Sequence, residues 1–198
     1  MRIIGITGGI GSGKTAVLNI LRDEYGAFVM EADALAHKLM EPGEVSYNDI
    51  VKVFGTEVLK ADGTIDRKLL GDIVFSDKDK LELLNSITHP NVKNAIIRSI
   101  EEQKQSGTAI YVIEAALLIQ DGYKSICHEI WYVYADIDVR IDRLIKYRGF
   151  TKERALCVIN NQESEDYYKR NCTNILDNSG DIGQLRIQIN NVIEVIIK

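Results

Sequence analysis

An eight-residue motif near the start of the chain constrains its fold more than any other feature. The motif consists of Gly8, Gly9, Ile10, Gly11, Ser12, Gly13, Lys14 and Thr15. It matches the phosphate-binding pattern G-x-x-x-x-G-K-[ST] at every required position. An apolar run at 3–6 precedes the motif, and a helix-compatible stretch at 16–25 follows it. Because glycines between a strand and a helix let backbone N–H groups surround a phosphate chain, the motif predicts a nucleotide-binding α/β protein, and a turn that binds nothing is the lesser alternative.

Two side chains of the motif have expected roles. Lys14 supplies a cation for the terminal phosphates of ATP, and the Thr15 hydroxyl is placed to hold Mg²⁺. The motif alone does not separate kinases from GTPases. A GTPase needs a base-reading N-K-x-D segment after a strand, and the corresponding stretch here reads Tyr134-Ala135-Asp136-Ile137-Asp138. We therefore favour a kinase.

Composition and charge narrow the possible classes of protein further. The chain has 198 residues, 45% of them hydrophobic, and a formal net charge of −5. A general nucleic-acid binder should carry a basic excess, so we expect no nucleic-acid partner. No apolar stretch approaches the length of a membrane span, and Cys127, Cys157 and Cys172 lack metal-ligand spacing. We expect a cytoplasmic protein with reduced thiols and no membrane association.

Short, mostly apolar segments separated by helical patterns predict five parallel strands buried on both faces. The predicted strands span 3–7, 28–33, 110–114, 130–135 and 174–176. The resulting fold class is α/β, a three-layer P-loop fold with a five-stranded parallel sheet. A final helix should bury one apolar face formed by Ile182, Leu185, Ile189, Val192, Ile193 and Ile196.

The second and third strands are about 75 residues apart, far more than one crossover needs. This interval predicts helices, one of which begins near Pro90 and carries Val92, Ile96 and Ile100 on one face. We expect the helical insertion to form a substrate-binding subdomain; extra packing is the alternative.

A basic stretch follows the fourth strand. It contains Arg140, Arg143, Lys146, Arg148, Lys152 and Arg154, opposed only by Asp142 and Glu153. Arginines that close over a polyphosphate neutralise charge on the transferring group, so the stretch favours a helical lid. A solvated helix face, with the apolar residues of the stretch turned inward, is the alternative.

Three further side chains are candidates for chemistry. Asp33, predicted at the end of the second strand, could receive the proton of an acceptor hydroxyl, or could cap a helix at 34–40. Glu114 ends the third strand, where a carboxylate could hold magnesium-bound water. His89 precedes Pro90 and could contact substrate phosphate; a structural histidine is at least as good an interpretation.

These features, taken in order, are similar to those of the dephospho-coenzyme A kinase family. The matching segments are 5–15, Glu31-Ala32-Asp33, Pro42-Gly43, Phe54-Gly55, Asp62-Gly63, Asp66-Arg67, Leu70, Val74-Phe75, Ile87-Thr88-His89-Pro90, Leu117-Leu118, Arg143-Leu144, Gln162 and Asp177-Asn178-Ser179-Gly180. The resemblance covers nearly the whole chain. It implies transfer of the γ-phosphoryl group of ATP to the ribose 3′-hydroxyl of dephospho-coenzyme A.

The resemblance also implies roles for particular residues. Asp33 becomes the candidate base, with Lys14 and Arg143 as the other catalytic residues. The expected nucleotide contacts are the whole motif at 8–15, Arg148 and Asn178; the expected acceptor contacts are Asp33, His89 and Leu117; and the expected Mg²⁺ contacts are Thr15 and Glu114. The implied organisation is a nucleotide core (1–33, 108–138 and 163–198), a coenzyme A insertion (34–107) and a lid (139–162), in a monomer or weak homo-oligomer.

The sequence departs from the family near the acceptor site and in the lid. Glu114, Ala116 and Gln120 stand where an aspartate, a proline and a glutamate are usual. Arg140 occupies a glutamine position, and Tyr147 occupies the position of a second arginine. Two alternatives therefore stay open: a diverged kinase for another small alcohol or nucleoside, and a non-catalytic nucleotide-binding regulator.

Overall fold

Five strands form one sheet in the computed structural model, which describes residues 1–197. The strands are β1 (Arg2–Thr7), β2 (Phe28–Glu31), β3 (Ile110–Glu114), β4 (Glu129–Tyr134) and β5 (Asn174–Asp177). Their spatial order is β2-β3-β1-β4-β5, and β1 pairs in parallel with both β3 and β4. The predicted five-stranded parallel α/β fold is confirmed. The central position of β1 places the segment that follows it at the middle of the carboxyl edge of the sheet.

Nine α-helices occur within residues 1–197. They are α1 (Lys14–Tyr25), α2 (Ala32–Leu39), α3 (Val45–Phe54), α4 (Arg67–Phe75), α5 (Lys78–Gln105), α6 (Ile137–Arg148), α7 (Lys152–Asn160), α8 (Glu165–Asn171) and α9 (Ile182–Ile197). Short 3₁₀ helices cover Thr56–Val58 and Tyr123–Ser125. Among these elements, no helix combines the length and apolar character that crossing a bilayer requires.

The chain divides into two compact units. A sheet unit comprises Met1–Met30 and the chain from Gln103 onward, and a helical unit comprises Glu31–Glu102. Each unit has its own cluster of buried apolar side chains.

In the sheet unit, α1 and α9 cover one face of the sheet. Ile4, Ile6 and Trp131 of the sheet are fully buried in a cluster with side chains of these helices. The predicted face of the last helix is largely confirmed: Leu185, Ile189, Ile193 and Ile196 are buried, and Val192 is partly buried against the same cluster. Ile182, the first residue of α9, is an exception because its side chain is 44% exposed.

In the helical unit, buried side chains of α3, α4 and the chain between them form the core. The buried members are Ile50, Val58, Ile65, Leu70 and Val74. A short hairpin connects α3 to α4, with Leu59 and Ile65 paired in an antiparallel bridge. The Asp66 carboxylate ends the hairpin and caps α4 by accepting from the backbone N–H groups of Lys68 and Leu69.

The local structure predicted for Asp33 was wrong. The strand β2 ends at Glu31, and Asp33 lies in the first turn of α2. Glu31, not Asp33, occupies the N-cap position, so the capping interpretation of Asp33 is also wrong. Alanine-rich sequence after Glu31 favours a helix, and a carboxylate in the first turn interacts well with the helix dipole.

Pro90 also departs from its predicted position. We expected it in a first helical turn, and it lies inside the 28-residue helix α5. Proline lacks an N–H donor, so one backbone hydrogen bond of the helix is lost there. The buried residues Val92, Ile96 and Ile100 follow Pro90 on one face of α5. Their packing offsets a local cost that is usually about 3 kcal/mol.

The burial of α9 generates a stability prediction. Truncation of Ile189, which is fully buried, removes apolar contacts and leaves a cavity. We expect Ile189→Ala to lower the free energy of unfolding by about 2–5 kcal/mol in denaturant titration. Ile187 on the same helix is 55% exposed, so Ile187→Ala is the matched control. This control should change the free energy of unfolding by less than about 1 kcal/mol. Equal losses would show that α9 does not pack as described.

Candidate active site

The glycine-rich loop connects the central strand β1 to α1. Its last residue before the helix, Gly13, has φ 88° and ψ 34°, a left-handed conformation that side chains disfavour. A Cβ atom at Gly13 would also collide with the side-chain amide of Asn178. Similarly, a Cβ atom at Gly9 would collide with the guanidinium of Arg140. The loop therefore needs glycine for two reasons, namely its backbone conformation and the close approach of polar side chains.

One of these side chains, Arg140, holds the first half of the loop. Its Nε donates to the Ile10 carbonyl at 2.8 Å, and its Nη2 donates to Gln162 Oε1 at 2.7 Å. The same Gln162 oxygen accepts from the Ile10 N–H at 2.9 Å. Arg140 and Gln162 thus bind both polar groups of Ile10. Burial lowers the pKa of Arg140 below its ordinary value, because a buried cation loses hydration.

Arg143, one turn further along α6, holds the second half of the loop. Its Nη1 donates to the carbonyls of Gly11 at 3.2 Å and Ser12 at 3.1 Å. Its Nη2 donates to the Asn178 carbonyl at 2.8 Å. The Asn178 side chain is buried and donates from Nδ2 to the Ser12 carbonyl at 2.7 Å. Asn178 therefore contacts the loop directly and also fixes Arg143.

These contacts determine where the loop N–H groups point. In a trans peptide the C=O of one residue and the N–H of the next point in opposite directions. Because Arg140, Arg143 and Asn178 hold the carbonyls of residues 10, 11 and 12, the N–H groups of residues 11, 12 and 13 point the other way. The Ser12 N–H closes the turn to the Gly9 carbonyl at 3.2 Å. The N–H groups of Gly11 and Gly13 are thus left on the side of the loop opposite the arginines, an orientation that suits an anion.

Lys14 and Glu114 lie next to each other beside the loop. Lys14 Nζ donates to the Gly8 carbonyl at 2.9 Å and lies 3.6 Å from Glu114 Oε1. Both side chains are largely buried, at 19% and 12% exposure. The parallel pairing of Ile6 with Glu114 explains this proximity, since β1 and β3 end at the same edge of the sheet. A cation and a carboxylate are thus held close to the loop.

Two hydroxyl groups belong to the loop region. Thr15 is exposed in the first turn of α1, where a metal ion could reach it. Ser12 Oγ is buried, and no hydrogen-bond partner for it exists among the described residues. A buried hydroxyl without a partner is costly, and a phosphate oxygen would satisfy it. Both groups fit a site for a phosphate chain with its metal ion.

The basic stretch at 140–154 divides into two parts. Arg140 and Arg143 face the glycine-rich loop, whereas Lys146, Tyr147 and Arg148 are exposed to solvent. Residues i and i+3 of a helix share a face, which explains why the two inner arginines act together. The solvated-face alternative is therefore wrong for Arg140 and Arg143, and the lid stays a prediction. Contact of Arg143 or Arg148 with phosphate stays a prediction.

The remaining candidates lie elsewhere. Leu117, after β3, is 50% exposed, while its neighbour Leu118 is fully buried. Asp33 and His89 belong to the helical unit, and both are exposed. The sheet unit thus brings together the loop, Lys14, Glu114, Arg143 and Asn178.

Sequence reasoning placed Arg140 in the basic stretch and Gln162 at the end of the lid, but it predicted no contact of either residue with the glycine-rich loop. The spacing of Arg140 and Arg143 was a usable signal, because it puts both guanidinium groups on one helical face. No signal in the sequence connects Gln162 to Ile10, which is 152 positions away along the chain.

The sheet order and the loop define a P-loop nucleotide-binding protein. The family model for dephospho-CoA kinase (CoaE) matches residues 2–184. The chain therefore belongs to the dephospho-CoA kinase family, as the resemblance implied, and it is a kinase.

Individual relatives agree with this assignment. A dephospho-CoA kinase of Carboxydothermus hydrogenoformans is 38% identical over 192 residues, covering 97% of this chain and 93% of the relative. One from Symbiobacterium thermophilum is 39% identical, covering 96% and 79% respectively. The fold is shared with the TT1252 protein of Thermus thermophilus, whose crystal structure superimposes with a TM-score of 0.84 at 27% identity, covering 100% of this chain and 98% of the other.

The contacts of Arg143 generate a comparison of two arginines. Lysine cannot reproduce a guanidinium that donates to three carbonyls, so Arg143→Lys should loosen the loop. We expect it to raise KM for ATP and lower kcat/KM by roughly tenfold or more in steady-state assays, with little change in melting temperature. The exposed Arg148 is the matched control, and Arg148→Lys should leave both constants within about twofold. A larger effect at Arg148 would identify it as the functional lid arginine.

Proposed function

We propose that this protein transfers the γ-phosphoryl group of ATP to the ribose 3′-hydroxyl of dephospho-coenzyme A. One structural observation carries the proposal: Arg140, Arg143 and Asn178 donate hydrogen bonds to carbonyls of the glycine-rich loop. The chain also matches the family over residues 2–184. Such a loop offers fixed N–H donors to a phosphate chain. Fixed donors need no reorganisation when charge develops during phosphoryl transfer.

Lys14 is the proposed cation for the transferring phosphoryl group. It is largely buried between the Gly8 carbonyl and Glu114, so its charge acts in a medium where water screens it poorly. The carbonyl and the carboxylate hold the ammonium group close to the loop. Contact with the β- and γ-phosphates of ATP would exchange these protein partners for phosphate oxygens.

Thr15 and Glu114 are the proposed residues for Mg²⁺. A hydroxyl and a carboxylate are oxygen donors, which Mg²⁺ prefers, and the ion usually retains several waters beside one or two carboxylates. When bound, Mg²⁺ neutralises charge on the phosphate oxygens. Among the described residues, no three His, Cys, Asp or Glu side chains form a group that could hold a metal ion.

Asp33 is the proposed general base for the acceptor hydroxyl. Its carboxylate is exposed in the first turn of α2 and is not the N-cap of that helix. A carboxylate free of a capping role can accept a proton from, or orient, an alcohol that attacks phosphorus. His89 and Leu117 are the proposed further contacts to the acceptor, and residues 34–107 are the proposed acceptor-binding insertion.

Replacement of Asp33 by asparagine tests the base. Asn keeps the size of the side chain but cannot accept the proton, so we expect kcat to fall by roughly two to four decades. Binding of ATP should not change. Asp79 is also an acid in the first turn of an α-helix, α5, and is exposed, so Asp79→Asn is the matched control and should keep wild-type turnover. An Asp33→Asn enzyme within about threefold of wild type would exclude general-base catalysis by this residue.

Replacement of Lys14 tests the loop. We expect Lys14→Ala to lower phosphoryl transfer by roughly a hundredfold or more while the melting temperature stays near that of wild type. Lys104→Ala, at an exposed lysine near the end of α5, controls for loss of a positive charge. Near-normal turnover of Lys14→Ala would remove the loop lysine from the mechanism.

A panel of acceptors separates the proposed reaction from its alternatives. Wild-type protein with magnesium and ATP should phosphorylate dephospho-coenzyme A in preference to simple nucleosides and small alcohols. Preference for another alcohol would indicate a diverged kinase, and ATP binding without transfer to any acceptor would indicate a regulator.

A further inference from the structure

Arg140 carries a positive charge that no carboxylate of the described chain balances. Within residues 1–197 its guanidinium forms no ion pair, and its hydrogen bonds go to neutral acceptors, the Ile10 carbonyl at 2.8 Å and Gln162 Oε1 at 2.7 Å. The side chain is nevertheless partly buried, and this burial lowers the pKa of Arg140. Because a cation removed from water is costly without an opposite charge, these surroundings suit an anion that comes from outside the protein.

Tyrosine side chains are the groups that interact electrostatically with the Arg140 guanidinium. They are Tyr132, Tyr168 and Tyr134. The rings of Tyr132 and Tyr168 are buried and stacked, with centroids 4.6 Å apart and an interplanar angle of 6°. Burial raises the pKa of Tyr132 to about 12, so its hydroxyl is neutral near pH 7. The stacked pair therefore places aromatic surface near the cation without supplying a compensating charge.

Two acidic side chains of the neighbouring segments are engaged elsewhere. Asp136, at the N-cap position of α6, accepts from the Tyr134 hydroxyl at 2.5 Å. Glu163 accepts from Gln120 Nε2 at 3.4 Å. The positive charge of Arg140 is thus left to act on a ligand.

The Arg140 guanidinium lies directly against the first half of the glycine-rich loop. Gly9 has no side chain, and a Cβ atom there would collide with Arg140 Nη2 and lie 2.8 Å from its Cζ. Lys14 Nζ lies at the same half of the loop, 2.9 Å from the Gly8 carbonyl. In loops of this pattern the lysine reaches the β- and γ-phosphates of the nucleotide. We therefore expect the terminal phosphate to lie within the field of Arg140, across a single layer of backbone.

We propose that Arg140 is a positioning residue for the terminal phosphate of ATP and that its charge is balanced only when the nucleotide binds, an inference that rests on the proposed use of ATP. Its hydrogen bond fixes the Ile10 carbonyl, and its charge stabilises the negative charge of the transferring group. A partly buried cation is screened less by water and salt than an exposed one. The role needs the charge as well as the hydrogen bonds, and this separates it from the role of a purely structural arginine.

Replacement of Gln162 by glutamate tests the charge without removing a hydrogen-bond acceptor. Gln162 Oε1 accepts from the Ile10 N–H and from Arg140 Nη2, and a glutamate oxygen can accept from both. The new carboxylate would pair with Arg140 and cancel its charge. We expect kcat to fall by about tenfold or more, and the dissociation constant of a non-hydrolysable ATP analogue, measured by calorimetry, to rise by about fivefold. The melting temperature of the ligand-free variant should be at or above that of wild type, because the cation gains a partner.

Replacement of Arg140 by glutamine removes the charge itself. Glutamine can still donate to the Ile10 carbonyl, so we expect losses in kcat and in affinity for the ATP analogue similar to those of Gln162→Glu. The dissociation constant of ADP, which lacks the γ-phosphate, should change by less than about twofold.

Two variants far from the loop serve as matched controls. Arg22→Gln in α1 and Gln184→Glu in α9 change the net charge by the same amounts at exposed positions. Both should keep the wild-type kcat and the wild-type dissociation constants, because exposed charges are screened by water and salt.

Each outcome of these measurements decides the inference. Wild-type constants in Gln162→Glu would show that only the hydrogen bonds of Arg140 matter and would overturn it. Equal losses of affinity for ADP and for the ATP analogue in Arg140→Gln would also overturn it, since they indicate a distorted loop, and so would losses of the same size in the controls. If wild-type protein binds the ATP analogue but does not phosphorylate dephospho-coenzyme A, the proposed function fails, and the binding measurements still decide the inference. If wild-type protein does not bind the ATP analogue, both fail.

Discussion

The hydrogen bonds from Arg140, Arg143 and Asn178 to the carbonyls of the glycine-rich loop are the contacts on which the nucleotide site depends. A loop rich in glycine has many accessible conformations, and holding it in one of them has an entropic cost. The hydrogen bonds from the two guanidinium groups and the Asn178 amide offset that entropic cost before a ligand binds. The opposite side of the loop is left with its N–H groups oriented for an anion.

This arrangement requires that distant parts of the chain meet at one edge of the sheet. The loop follows β1, the arginines lie on the helix after β4, and Asn178 follows β5. In the parallel sheet β4 lies between β1 and β5, so the segments after these strands emerge side by side. The strand order thus explains why the polar side chains that hold the loop come from the second half of the chain.

Charge is distributed unevenly over this acidic protein. Cations concentrate at the glycine-rich loop, where Lys14, Arg140 and Arg143 are partly buried. Cations at the loop match the charge of a polyphosphate, and a net negative charge elsewhere disfavours nonspecific binding of nucleic acid.

The sequence by itself determined the α/β class, the five strands and the loop with Lys14, because these follow from local patterns of apolar residues and glycines. It misjudged Asp33 and Pro90, since the end of a strand and the continuation of a helix depend on packing. Only the tertiary structure decided that Arg140 and Arg143 bind loop carbonyls and that Gln162 binds Ile10. The physical reason is that each of these features joins residues far apart in the chain, and their contacts come from strand order and packing rather than from any local pattern.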